Sequence, residues 1–155
     1  MTTEWFDLPD PVGTDTGEVG LRFACTLCGS CCTGPSGFVL FTDDEADAMA
    51  SRLGLTRGEF LDRYTRDTVL GRSLDEKPSA FGNDCVFLDR EAIPGKAVCG
   101  LYEARPEQCR TWPFWKSNLE SPRRWDRAAR GCPGMNRGPL TPPDRIRLTR
   151  DRLDI

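Results

Sequence analysis

Apolar residues in this chain come in short patches whose period changes along its length. Leu21 to Ala24 alternates weakly between apolar and polar, as a short extended piece does. Phe38 to Phe41 is an unbroken apolar run and a strand candidate. A helical period follows, with Ala46, Met49, Ala50 and Leu53 at i, i+3, i+4 and i+7. Thr42-Asp-Asp-Glu45 ahead of it has the form of a capping box, and Gly54 stands where a C-terminal cap belongs. A second box, Thr56-Arg-Gly-Glu59, opens another helix running to about Arg66, with Phe60, Leu61 and Tyr64 on its inner side.

Past this helix pair the pattern weakens. Asp67 to Leu74 reads as extended, and Lys77 to Asp84 as a loop broken by Pro78 and Gly82. Cys85 to Asp89 and Lys96 to Leu101 lean towards β structure on either side of a Pro94-Gly95 turn, which predicts a hairpin. Pro106 can open a helix that runs through Cys109 until Pro113 ends it. A further helix is expected around Arg123 to Arg130, and a terminal one from Asp144 to Leu153. Residues 1–20, with Pro9, Pro11, Gly13, Gly17 and Gly20 among acids, form an irregular lead-in. The expected organisation is a lead-in over 1–20, one domain over 21–134 and a tail over 135–155. Its class is α+β: a small single domain, loop-rich, with short helices and a β-hairpin.

Composition narrows the setting. A chain of 155 residues can bury about 70% of its unfolded surface, so it needs no disulfides merely to hold a fold. The formal net charge is −3, without the basic excess that nucleic acid requires. Arg123, Arg124, Arg127 and Arg130, interleaved with Asp126, read as a solvated helix face. Met1 to Asp10 has neither the basic nor the apolar region of a secretory leader. The longest apolar runs, Phe38 to Phe41 and Cys85 to Leu88, fall far short of the roughly 20 residues of a membrane span. The expectation is a soluble, cytoplasmic protein with no membrane or nucleic-acid partner.

Against that background the eight cysteines call for a role. A reducing cytoplasm keeps thiols reduced, so clustered cysteines there point to metal binding or catalysis. The eight are Cys25, Cys28, Cys31, Cys32, Cys85, Cys99, Cys109 and Cys132, and the chain has no histidine. Soft sulfur donors select zinc, Cu(I) or iron–sulfur clusters, and eight suffice for two four-coordinate sites. Cys25, Cys28 and Cys31 have the loop spacing of a [4Fe–4S] cluster, and Cys132-Pro133 offers a remote fourth ligand; Pro35 stands where a ferredoxin run would place it. Zinc remains open, although only the first segment has the pairwise spacing of structural zinc sites. Neighbouring side chains on extended backbone point to opposite sides, so Cys31 and Cys32 are expected to serve different centres, or one of them to be a non-ligand. The resulting partition is Cys25, Cys28, Cys31 and Cys132 for one site, with Cys32, Cys85, Cys99 and Cys109 for another. Arg105 and Arg110 flank Cys109 and could balance the negative charge of a thiolate centre. Trp112, Phe114 and Trp115 could shield a cluster from water, but read first as core.

The run C-T-L-C-G-S-C-C at 25 to 32, with C-V-F-L-D at 85 to 89, C-G-L-Y-E-A-R-P-E-Q-C-R at 99 to 110 and W-P-F at 112 to 114, resembles the YkgJ-type cysteine-cluster family. That family is described as a zinc- or iron-chelating domain with a CxxCxxCC signature. The resemblance spans about residues 21 to 134 and implies metal chelation through all eight cysteines. A related pattern in flagellin lysine N-methylases gives an alternative role in methyl transfer. No phosphate loop, nucleophile elbow or Cys-His pair is present, which favours a metal-binding or electron-transfer module over a stand-alone enzyme. The expected function is a protein whose cysteines hold one or two centres, including a [4Fe–4S] cluster, in a redox, sensing or metal-handling role. Its partner would be another protein or redox carrier, and a structural zinc scaffold is the other reading.

Overall fold

The computed structural model describes residues 2–155; Met1, the start of the expected lead-in, lies outside them. The fold is mixed α+β, and the chain divides into two compact units. One is built from residues up to Thr26 together with Thr111–Ile155, and the other is Leu27–Arg110. No described helix is long and apolar enough to cross a membrane.

The discontinuous unit is held by a ribbon in which Leu21–Phe23 pairs antiparallel with Met135–Thr141. Leu21 lies opposite Thr141 and Phe23 opposite Met135, so the longer strand bulges between them. Asn136 and Gly138, both at positive φ, absorb that bulge. Phe6, Leu21, Phe114, Leu119, Trp125, Cys132, Met135 and Ile146 form the core, with Trp112 packed against it. The core reading of Trp112 and Phe114 therefore stands. Trp125 is fully buried on the Pro122–Arg130 helix, stacks on Phe114 at 5.9 Å, and donates its indole N–H to Asn136 Oδ1 at 2.8 Å.

Within the described residues, the lead-in and the tail both carry regular elements. The lead-in makes a short 3-10 turn, Trp5–Asp7, which buries Phe6 and donates the Trp5 indole N–H to Leu119 O at 2.8 Å. Glu4 accepts from Arg147 at 2.8 Å and from Arg150 at 2.5 Å. The tail supplies the ribbon's second strand and the Pro143–Arg150 helix. That helix stops at Arg150, before the expected Leu153.

In Leu27–Arg110 the two capping boxes form as read. Thr42 Oγ1 accepts from Glu45 N and Thr56 Oγ1 from Glu59 N, each at 3.2 Å, while each glutamate accepts the threonine N–H at 2.9 Å. These boxes start the Asp43–Leu53 and Arg57–Tyr64 helices. Their inner faces bury Ala46, Met49, Ala50 and Phe60 with Leu74 and Leu101. The second helix ends at Tyr64 because Thr65 already belongs to a strand, Thr65–Thr68, that turns back as Gly71–Leu74. Three corrections concern strands. Phe38 to Phe41 contributes only a single bridge, Leu40 to Ser73, in place of a strand. The expected loop at 77 to 84 is a hairpin, Glu76–Ser79 against Gly82–Cys85, so Cys85 belongs to it and not to the next hairpin. That next hairpin is short, Leu88–Asp89 against Val98–Cys99, and carries only Cys99.

Candidate metal centre

The cysteine loop is shaped by its backbone. Leu27 lies at φ 58°, a left-handed conformation that a branched side chain enters at a cost, and its carbonyl accepts the Ala97 N–H at 2.8 Å. Gly29 lies at φ 78°, and a Cβ there would stand 2.6 Å from Ala97 Cβ. Only glycine fits both the torsion and the gap. From Gly29 the chain enters a 3-10 turn, Ser30–Cys32, closed by Cys32 N donating to Gly29 O at 3.0 Å. The Ser30 N–H also points to Cys28 Sγ at 3.4 Å. Because this backbone is helical and not extended, the premise that Cys31 and Cys32 diverge fails. Their sulfurs stand 3.7 Å apart.

Sheet register then brings distant cysteines to the loop. Thr33–Gly34 pairs with Gly82–Cys85, Thr33 opposite Asp84, so Cys32 and Cys85 are the next residues along that pairing. Leu88 lies opposite Cys99, and Cys109 stands on the Glu107–Arg110 helix. Gln108 ties that helix to the chain before the first capping box, donating to Phe38 O at 2.7 Å and accepting from Leu40 N at 3.0 Å.

Cys31, Cys32, Cys85, Cys99 and Cys109 are close enough that charge on one shifts the titration of others. The Cys32 S–H bond, aided by the Arg105 cation, pulls the Cys31 thiol down to about 7 against the opposing effect of burial. Donating that bond, together with burial, pushes the Cys32 thiol far up. Burial raises Cys85 to about 11 and, with the neighbouring thiolates, Cys109 to about 12. Burial also raises Cys99. At neutral pH this group therefore has one thiol ready to ionise and four that hold their protons.

The remaining three cysteines are placed differently. Cys28 lies in the same unit, with its Sγ facing the Ser30 N–H. Cys25 and Cys132 belong to the other unit, where Ala24 N donates to Gly134 O at 3.0 Å and brings their segments side by side. That crossing is tight, since a Cβ on Gly134 would lie 1.9 Å from Ala24 O. Cys25 is exposed and Cys132 is buried.

Both arginines singled out in the sequence lie near this group, with different duties. Arg105 donates its Nε–H to Tyr102 O at 2.9 Å, lies over the Tyr102 ring at 3.9 Å, and lowers the thiol pKa of Cys31, Cys99 and Cys109. Arg110 spends its guanidinium on the carbonyls of Arg105 and Glu103, both at 2.7 Å, and so braces the turn that carries Arg105. Sequence reasoning missed Asp84 and Arg90. Asp84 is buried at 2% exposure and accepts two bonds from Arg90 at 2.8 Å, one from Ser79 at 3.0 Å and one from Thr33. These bonds fix Thr33, and with it Cys32, against the strand that ends in Cys85. Arg90 lies near enough to Cys32 that the two groups are electrostatically coupled, so the cation would favour a Cys32 thiolate once that proton is lost. Only the sheet register reveals this network.

All-thiol donors, with no imidazole in the chain, fit a soft metal or an iron–sulfur centre in kind. Among the described residues, no three cysteine or carboxylate side chains stand at metal-holding distance as they are, so closing a centre requires thiol rotation and proton loss. A family model described as CxxCxxCC, a zinc- or iron-chelating domain, matches residues 24–133. No solved structure matches the chain.

Proposed function

The chain belongs to the CxxCxxCC family, and from that membership we propose that the unit Leu27–Arg110 holds a [4Fe–4S] cluster in a redox, sensing or metal-handling role. The observation that carries the proposal is the convergence in one unit of Cys31, Cys32, Cys85, Cys99 and Cys109, sulfur donors only, supplied by four separate segments. Four of the five would hold the cluster, which departs from the partition suggested by spacing alone.

Such a cluster supplies one-electron transfer, with a potential set by charge, hydrogen bonds and solvent access. The chain's own groups act on each of these. Arg105 and Arg90 bring positive charge to a four-thiolate centre that would otherwise be strongly anionic. Phe87 and Leu101, packed with Cys85 and Cys99 against the helical core, exclude water from one side. Cys31 would provide the first thiolate, and three of Cys32, Cys85, Cys99 and Cys109 would release protons on becoming ligands.

Anaerobic purification followed by iron, sulfide and zinc analysis tests the proposal. About four irons and four sulfides per chain, with a broad visible absorption that bleaches on reduction, is the expected result. A colourless, iron-free protein carrying stoichiometric zinc would replace the cluster with a closed structural zinc site.

A further inference from the structure

We propose that Arg123, Arg127 and Arg130 form a docking row for an acidic helical segment of a partner protein. The three lie at i, i+4 and i+7 on the Pro122–Arg130 helix, one stripe about 10 Å long, and all three are exposed. The opposite face of the helix is fixed: Trp125 is fully buried, stacked on Phe114 and bonded to Asn136. The row is therefore presented on a rigid element.

Its charges oppose helix stability. Arg123 sits in the first turn, at the positive end of the helix dipole, where a cation is disfavoured. Arg123 and Arg127 are like charges at i, i+4, a repulsive spacing, and Asp126, at the attractive i+3 and i−4 spacings from Arg123 and Arg130, offsets it only in part because it forms no ion pair with either. Arg124, the other first-turn cation, is compensated by Glu120 at 3.2 Å. Among the described residues, no carboxylate lies within ion-pairing distance of Arg123, Arg127 or Arg130. The dipole accounts for the last-turn Arg127 and Arg130 but not for Arg123, and the row presents three cations without an ion-paired carboxylate, which a ligand of opposite charge would supply.

Charge complementarity selects the occupant. Carboxylates at i, i+4 and i+7 of a second helix repeat over the same 10 Å or so and meet three guanidiniums, each able to accept a carboxylate in bidentate fashion. A nucleic acid fits less well, because phosphate tracking needs a broad basic footprint and this row is a single stripe of three residues. The last turn of this helix runs directly into Cys132, whose N–H bonds to Ala129 O at 3.2 Å.

The test is fluorescence anisotropy at low ionic strength with the full chain and a labelled, alanine-based helical peptide bearing glutamates at i, i+4 and i+7. The triple change Arg123→Gln, Arg127→Gln, Arg130→Gln is expected to weaken binding about tenfold, and added salt to weaken it in the wild type. Three exposed cations of the other unit, changed together as Arg52→Gln, Arg63→Gln, Lys77→Gln, serve as a control and should leave affinity unchanged. A second variant, Arg127→Glu, should lose more affinity than Arg127→Gln, with thermal melts showing that both are folded. Absence of wild-type binding, equal loss in the control triple, or tighter binding of duplex DNA through the same three arginines would overturn the proposal.

Discussion

Replacing Gly29 by alanine adds one methyl group to the cysteine loop without touching a thiol, and its cost can be worked out in two parts. The first is torsional: at φ 78° a Cβ costs about 1–2 kcal/mol. The second is steric. The new Cβ would lie 2.6 Å from Ala97 Cβ and 3.4 Å from Leu88 Cδ2, in or beside the hairpin that carries Cys99. Overpacking of this kind costs about 1–3 kcal/mol, so Gly29→Ala should destabilise the metal-free protein by roughly 2–5 kcal/mol in total.

Removing the opposing methyl separates the two parts. Ala97→Gly alone should cost about 1–2 kcal/mol, from a lost buried methyl and added backbone freedom. It keeps the N–H that bonds Leu27 O. In the double variant the clash with Ala97 Cβ is gone, so of the Gly29→Ala cost only the torsional part remains, on top of the cost of Ala97→Gly. The pair should therefore be less destabilised than the sum of the singles by about 1–3 kcal/mol. Urea unfolding followed by far-ultraviolet circular dichroism is the assay, because the tryptophans, at 5, 112, 115 and 125, all lie outside Leu27–Arg110 and circular dichroism follows the backbone of that unit directly. A Gly29→Ala protein as stable as wild type, or strictly additive effects, would refute the described packing of the loop.

Removing the Asp84 carboxylate with Asp84→Ala leaves Thr33, Ser79 and Arg90 without their inward acceptor and should cost about 2–4 kcal/mol in urea melts. Because the Arg90 guanidinium holds the Asp84 carboxyl well below its ordinary value of 3.8, the stability it contributes is fully present above that pH and is lost only as pH falls below it; the gap between the two proteins should stay flat from about pH 5 to 8. The thiols act at the other end of the scale: Cys85 and Cys109 hold their protons to about 11 and about 12 in the folded state. The unfolded chain ionises first, so the metal-free protein should lose stability as pH rises from about 9 towards 12, and a Cys85→Ala, Cys109→Ala double variant should show a shallower decline. Cys109→Ser should lower bound iron sharply after anaerobic purification, and iron retained at the wild-type level would exclude Cys109 as a ligand.

Local signals were legible in the sequence and non-local ones were not. Thr42 with Glu45 and Thr56 with Glu59 close their bonds within three residues, so each box announces its helix without help from the rest of the chain. The hairpin from Glu76 to Cys85 gave no such signal, since its strands read E-K-P-S and G-N-D-C and no apolar alternation marks a buried face. It is held by backbone pairing and by Asp84, whose partners lie at 33, 79 and 90. The strand Met135–Thr141 was hidden behind Gly138 and Pro139, which ordinarily punctuate loops. At the site, residue type alone singled out the eight cysteines, but their grouping depends on the register that sets Thr33 opposite Asp84. Spacing along the chain could not supply that register, nor the 3-10 turn that turns Cys31 and Cys32 towards each other.

The contrast between those two neighbours also sets an order of events in time. Cys31 is exposed and ionises near neutrality, whereas Cys32, Cys85 and Cys109 stay protonated and half-buried. Within this group of five, an arriving soft cation would therefore meet the Cys31 thiolate first, and each later bond would wait on a proton leaving a less accessible sulfur. Capture through Cys31 would be fast and weakly dependent on pH above about 7, while completion would be slow and would quicken as the solution is made more alkaline.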